Sequence, residues 1–173
     1  MTLTHYLMSI FLGLSVTVET PPMPYRDVGA CPFECCHYGP WTAGKPATAR
    51  KTEDSKSPVA FQIKVGEKVT AVTGVVITRK PGTVRMQKAF KTDKFTLPAG
   101  ALVYTLHYGG EGSTLIWFEG KVSWAELTAD NPWDVLSIPD TEWWVEVRTH
   151  SGAIGWILQP QDFEGMDSCG TRQ

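Results

Sequence analysis

The fold is decided by Trp143-Trp144-Val145-Glu146-Val147-Arg148-Thr149, followed by His150-Ser151-Gly152 and then Ala153-Ile154-Gly155-Trp156-Ile157-Leu158. Two alternating runs on either side of a glycine-containing turn read as an antiparallel hairpin. Gly152 permits the turn, Gly155 lets the chain pass close to a neighbouring strand, and Trp156 fills a core. Successive strand residues point to opposite faces. Trp143 shares parity with Val145 and Val147 and is expected inside. Trp144 shares parity with Glu146 and Arg148 and is expected outside, or against a second barrel.

The same period runs back through the chain. Ile63, Val65, Val69, Ala71, Val75 and Ile77 fall on one parity, with Gly66 and Gly74 at bends or bulges. The turn Lys80-Pro81-Gly82 leads into Val84 and Met86, and Leu97-Pro98-Ala99-Gly100 precedes Leu102, Tyr104 and Leu106. After Tyr108-Gly109-Gly110-Glu111-Gly112 come Leu115 to Phe118, a Glu119-Gly120 turn and Lys121 to Trp124; Asp130-Asn131-Pro132 marks a further loop. Roughly eight short strands between Gly/Pro turns, with no long helix beyond the first segment, predict an all-β chain. Closure hides sheet edges, so barrels are favoured, and this many strands calls for two small ones, packed or interleaved. The expected organisation is 1–18 as an export or anchor segment, 19–58 as linker and Cys-rich lead, 59–128 as a first β unit, and 129–173 as a second with its tail.

Tyr6 to Val18 is an apolar run broken by Ser9, Ser15 and Thr17 and ended by Glu19. It suits a signal-peptide core and falls short of the roughly 20 residues a membrane span needs. An uncleaved anchor and a buried helix are the competing readings. Four cysteines, at 31, 35, 36 and 169, suit two bridges in an exported chain. A Cys35–Cys36 bridge would strain a ring between neighbours. Two pairings remain: Cys31–Cys36 with Cys35–Cys169, or Cys31–Cys35 with Cys36–Cys169. Either one staples the chain ends through a long loop, for which chain entropy gives about 4–5 kcal/mol as an upper figure.

A net charge of −2 in 173 residues, without a Lys/Arg stripe, gives no footprint for nucleic acid. Seven tryptophans exceed what packing needs and bring amphipathic surface with them. Cys31, Cys35, Cys36 and His37 offer four soft ligands but are too crowded to wrap one tetrahedral ion, so no metal or other cofactor is expected. Val28-Gly29-Ala30-Cys31 lies too far beyond the apolar run to be a lipid-attachment site. An exposed Trp144 between Glu146 and Arg148 can stack on a sugar or grip a peptide; packing between barrels is the competing reading. Trp117 and Phe118 pose the same question, one ring in and one out, and Phe118 joins the candidate ligand-binding set.

The final hairpin resembles the end of a bacterial SH3-like domain, in which a V-x-V-R strand, a Gly turn and a Gly-Trp-Val/Ile strand close the barrel. Here these are Val145 to Arg148, Gly152 and Gly155 to Ile157. Val65-Gly66-Glu67-Lys68-Val69-Thr70-Ala71 resembles the opening strand of the same domain. More broadly, Cys31 to Cys36, Tyr38 to Ala43, and Gly110 to Gly112 with Trp117, Gly120 and Lys121 resemble stretches of exported bacterial SH3-domain proteins. The resemblance implies SH3-like barrels, a periplasmic or secreted location and Cys31–Cys36 as the local bridge. It carries no established activity, and fold alone does not settle one. SH3-like modules often accompany cell-wall peptidases, but Cys36-His37 adjacency seldom gives nucleophile geometry and no peptidase core is recognisable. The expectation is a non-catalytic envelope module whose ligand is peptidoglycan or a protein partner. The alternatives are a structural or interaction subunit and, further off, a cysteine hydrolase.

Overall fold

The computed structural model describes residues 19–126 and 133–169. The proposed export segment 1–18 and the Asp130-Asn131-Pro132 loop lie outside them. The described chain is all-β. No helix among these residues is long and apolar enough to cross a membrane.

The first sheet uses β1 (Tyr25–Val28), β2 (Gly39–Ala43), β3 (Ala47–Arg50), β4 (Val59–Ile63), β5 (Lys68–Lys80), β13 (Asp140–Thr149), β14 (Ile154–Leu158) and β15 (Phe163–Glu164). Its order is β15-β2-β5-β13-β14-β3-β4, with β1 also on β5. β4 ends this order, yet the short connection 64–67 carries it straight back to central β5, so the sheet curls into a half-barrel. Trp41, Ala49, Ile63, Val69, Val145 and Ile157 meet in its core. The second sheet uses β6 (Gly82–Met86), β9 (Leu102–Tyr108), β10 (Ser113–Phe118), β11 (Lys121–Glu126) and β12 (Trp133–Ser137), in the order β11-β10-β9-β6-β12. The small hairpin of β7 (Phe90–Lys91) and β8 (Thr96–Leu97) supplies Phe90, Phe95 and Leu97 to a core on one face of this sheet. Tyr25 packs on the apolar cluster of the other face.

Strand pairing overturns the expected consecutive division at 128/129. β13 of the expected second unit pairs along nearly the whole of β5 in the first. The segment 82–137 forms the second sheet as an insertion between these two partners. The lead segment 19–58 is also not simply irregular, because it contributes β1, β2 and β3. β2 and β3 escape a period-2 reading because Gly39-Pro40-Trp41-Thr42-Ala43 and Ala47-Thr48-Ala49-Arg50 bury mostly small residues.

The hairpin at 140–158 forms with Trp144 opposite Leu158 and Arg148 opposite Ile154. The single parity expected from Val69 to Ile77 is broken. Glu146 pairs with Thr73 and Val147 with Ala71, so Val72 is a bulged residue. One extra residue exchanges the two faces. Val69 and Ala71 therefore reach the half-barrel core, whereas Val75 and Ile77 pack with Trp144 on the opposite face.

The bridges are Cys31–Cys36 and Cys35–Cys169, the latter spanning 134 residues. Two disulfides point to an oxidising compartment. β1 and β2 share one edge of β5, and the loop closed by Cys31–Cys36 fills the gap between them. Tyr38 Oη and Trp143 Nε1 both donate to the Ala30 carbonyl there. Gly74 lies beneath, where a Cβ would meet Trp143 Nε1 at 2.7 Å.

Candidate functional site

The four residues expected to form a ligand face do not converge. Trp144 is 1% exposed. It packs with Val75, Ile77 and Trp156, and its Nε1 donates to Glu142 Oε2 at 3.0 Å. The 51–58 turn between β3 and β4 lies over the same face, folded upon itself by Ser57 N–H to Asp54 O and Thr52 N–H to Ser57 Oγ bonds. Trp144 and Ser55 border the same cleft, and Arg26 on β1 reaches Glu53 of this turn at 2.9 Å. The exposed-Trp144 expectation is therefore corrected. Parity does place the ring on the face opposite the half-barrel core. That face, however, is roofed by a turn more than eighty residues earlier in the chain, and strand alternation carries no record of it. Glu146 is half-buried and Arg148 exposed farther along β13. Phe118 sits in the second sheet, its ring 6.3 Å from that of Phe95, while Trp117 packs on Tyr104 across the sheet. Neither ring is the outward one expected, because both faces of this sheet carry apolar clusters.

The exposed tryptophan is Trp124. On β11, Ser123 and Ala125 are buried while Trp124 is 44% exposed. Gly109 and His107 back its ring. A Cβ on Gly109 would come within 2.8 Å of Trp124 Cζ3, and the His107 ring stands nearly perpendicular, with its centroid 5.3 Å from that of Trp124. Such backing costs the ring its rotamer freedom before any ligand arrives. Trp124 also lines a cleft of about 360 Å3 at this edge of the sheet, whose walls include Phe90, Lys91, Asp93, Ser113 and Glu126. An aromatic platform beside hydroxyl, ammonium and carboxylate groups suits a polyhydroxylated ligand: the ring covers a C–H face and the polar groups meet hydroxyls and amides. The sequence does hold a signal for this residue. Ser123 and Ala125 are small inward positions, which puts Trp124 on the outer parity with Glu126.

Behind Trp124 the two sheets meet. His107, 2% exposed, lies on β9. Its Nε2 is 2.8 Å from Asp27 Oδ2 on β1, and its Nδ1 is 3.0 Å from the Tyr108 carbonyl. Alongside, Thr78 Oγ1 on β5 donates to the Leu106 carbonyl at 2.8 Å. Leu106 is the extra residue of a β9 bulge, since Leu115 pairs with His107 and Ile116 with Thr105. Burial and then the nearby Asp27 charge hold the Tyr25 phenol above its ordinary pKa; for Tyr38 the order is burial, an opposing hydrogen bond from Trp143, and Asp27. A second cleft of about 260 Å3, walled by Trp143, Tyr108, Gln159 and Gln161, also borders His107.

The cysteine cluster considered for metal is consumed in the bridges. The tightest grouping of metal-type ligands among the described residues is Glu34 with Cys35 and Cys169, whose two sulfurs are bonded to each other. In the bridged chain no thiol is available as a nucleophile. The chain matches no protein-family model, no curated protein and no solved structure.

Proposed function

We propose that the chain is a non-catalytic binding module of the cell envelope, in the periplasm or outside the cell, which holds the glycan of peptidoglycan on Trp124. The carrying observation is an exposed indole, backed by Gly109 and His107, on the wall of a cleft that also has Asp93, Lys91 and Glu126. Two bridges support export. The hairpin resembling an SH3-like domain, and the half-barrel path β5-β13-β14-β3-β4, support the SH3-like reading. A protein-interaction subunit is the second reading. It is favoured by exposed Val135, Leu136 and Ile138 around β12, the end strand of the second sheet.

The test is co-sedimentation with purified, protein-free peptidoglycan. Wild type is expected to pellet, and Trp124→Ala to lose about tenfold or more in apparent affinity, the scale of a central aromatic anchor. No pelleting by the wild type would sink the reading. Equal pelleting by Trp124→Ala would remove the cleft from it.

A further inference from the structure

His107 is held by two acceptors. The Tyr108 carbonyl can only accept, so this contact is a hydrogen bond only when Nδ1 carries hydrogen. The Asp27 carboxylate also accepts, and a neutral imidazole protonated at Nδ1 would turn its Nε2 lone pair on the carboxylate at 2.8 Å. The pair is satisfied only with one further proton, shared between Nε2 and Asp27 Oδ2. With His107 only 2% exposed, leaving one of its nitrogens against a like partner is costly.

Several other described residues face or flank His107. From β1 comes Tyr25, whose phenol is protonated across the neutral range, and from β5 comes Val76. Thr141 and Trp143 face it from β13, and Gln159 and Gln161 from the segment after β14. Tyr108 follows it on β9, with its phenol raised by burial. On β11 the contact is Trp124, and Glu126 lies two residues on along the same face. Tyr38 senses Asp27 from the disulfide loop.

From this arrangement we propose that His107 is a proton-dependent positioning residue for Trp124. Its imidazolium, pinned to Asp27 on β1, holds the indole in the cleft and ties the grip of the cleft to pH. The ring separation of 5.3 Å lies within cation–π reach of the indole. Loss of the shared proton leaves one of the two ring nitrogens without hydrogen against an acceptor, removes the positive charge beside the indole and loosens the support behind Trp124. Binding is thus expected to be tighter on the acid side and weaker on the alkaline side. This rests on the Trp124 cleft being the binding site.

Two measurements test it on the full chain with both disulfides intact. The first needs no ligand. Nitrogen-15 imidazole spectra are expected to show His107 with both nitrogens protonated at pH 5.5, and to lose that signature in Asp27→Asn at a lower pH than in wild type. A single-proton tautomer at pH 5.5, or an unchanged transition in Asp27→Asn, overturns the proposal. The second follows Trp fluorescence on titration with muramidase-released peptidoglycan fragments between pH 5.5 and 8.5. The wild type is expected to weaken by about fivefold with rising pH, the scale of one cation–π contact, with His107→Gln nearly flat. Parallel pH profiles for the two proteins overturn the proposal. Absence of wild-type binding at any pH overturns instead the peptidoglycan reading, and with it the proposed link to binding. The imidazole spectra still decide whether His107 holds its shared proton.

Discussion

The two sheets solve the same problem, covering a second face, by different means. In the first sheet the face carrying Val75, Ile77 and Trp144 is roofed by the chain's own 51–58 turn. The second sheet covers one face with the β7–β8 hairpin and the other with Tyr25, but Trp124 at its β11 edge stays partly open. Two tryptophans, each on the outer parity of its strand, therefore meet opposite fates. Burial of an outward-parity ring depends on which distant turn folds over it; strand alternation alone decides only which face it occupies.

The sheets also differ in their covalent frame. Both bridges lie on the side of the first sheet, and Cys35–Cys169 links the approach to β2 with the chain beyond β15. A double Cys35→Ser, Cys169→Ser variant breaks the comparison where the effect is greatest, because a closed loop of 134 residues is opened in the unfolded chain. The expected loss is about 4–5 kcal/mol at most by the chain-entropy estimate, read as a lower urea midpoint. Hydrogen exchange should show β2 and β15 losing protection before β9 and β10. Equal loss in both sheets would mean that the insertion and its host unfold as one unit.

Substituting the two tryptophans sharpens the contrast. Trp144→Ala leaves a cavity under the turn and strands the Glu142 carboxylate without one of its donors, so a loss of about 3–5 kcal/mol is expected. Trp124→Ala removes a ring already 44% exposed and should cost only about 1 kcal/mol or less in stability. Thermal unfolding of both variants beside wild type checks this. Similar shifts would show that Trp124 is a packing residue and would weaken the case for its cleft.

Much of the fold is legible because its signals are local. The hairpin at 143–158, the β5 run and the all-β class follow from alternation and from Gly/Pro turns, which need no knowledge of the rest of the chain. The Cys31–Cys36 bridge follows from a resemblance, since geometry leaves two pairings open. What is not legible is long-range. The insertion of 82–137 between β5 and β13 depends on pairing across sixty residues, and the Val72 bulge moves Val75 and Ile77 to the opposite face with no mark in residue type. The candidate site is legible only in kind: an exposed tryptophan among charges is expected at Trp144, while Trp124 fills that part. Its partners His107, Gly109 and Asp27 come from other strands, and no spacing rule connects them.

The smallest expected effect again separates the roofed face from the open one, this time by acid. Arg79 Nη2 donates to Glu142 Oε2 at 2.8 Å, and this hydrogen bond is the largest cause holding the Glu142 carboxyl below its ordinary pKa. Burial works against it, the Trp144 indole adds to it, and the nearby Asp54 charge opposes it weakly. A carboxyl whose pKa is depressed by folding contributes stability that is complete above its unfolded value, near 4.3, and is lost as pH falls through the folded value. The ion pair is partly exposed, so solvent screening limits the contribution to about 1 kcal/mol or less. Glu142→Gln should therefore lower the melting temperature slightly at pH 7, and the difference from wild type should close as pH falls below about 4. Trp144 should respond with Glu142, because its indole N–H loses a charged acceptor on protonation, whereas Trp124 should not. An indole signal from Trp144 that stays fixed between pH 6 and 3 while Glu142 titrates would show that packing under the 51–58 turn, and not the Glu142 bond, sets the position of that ring.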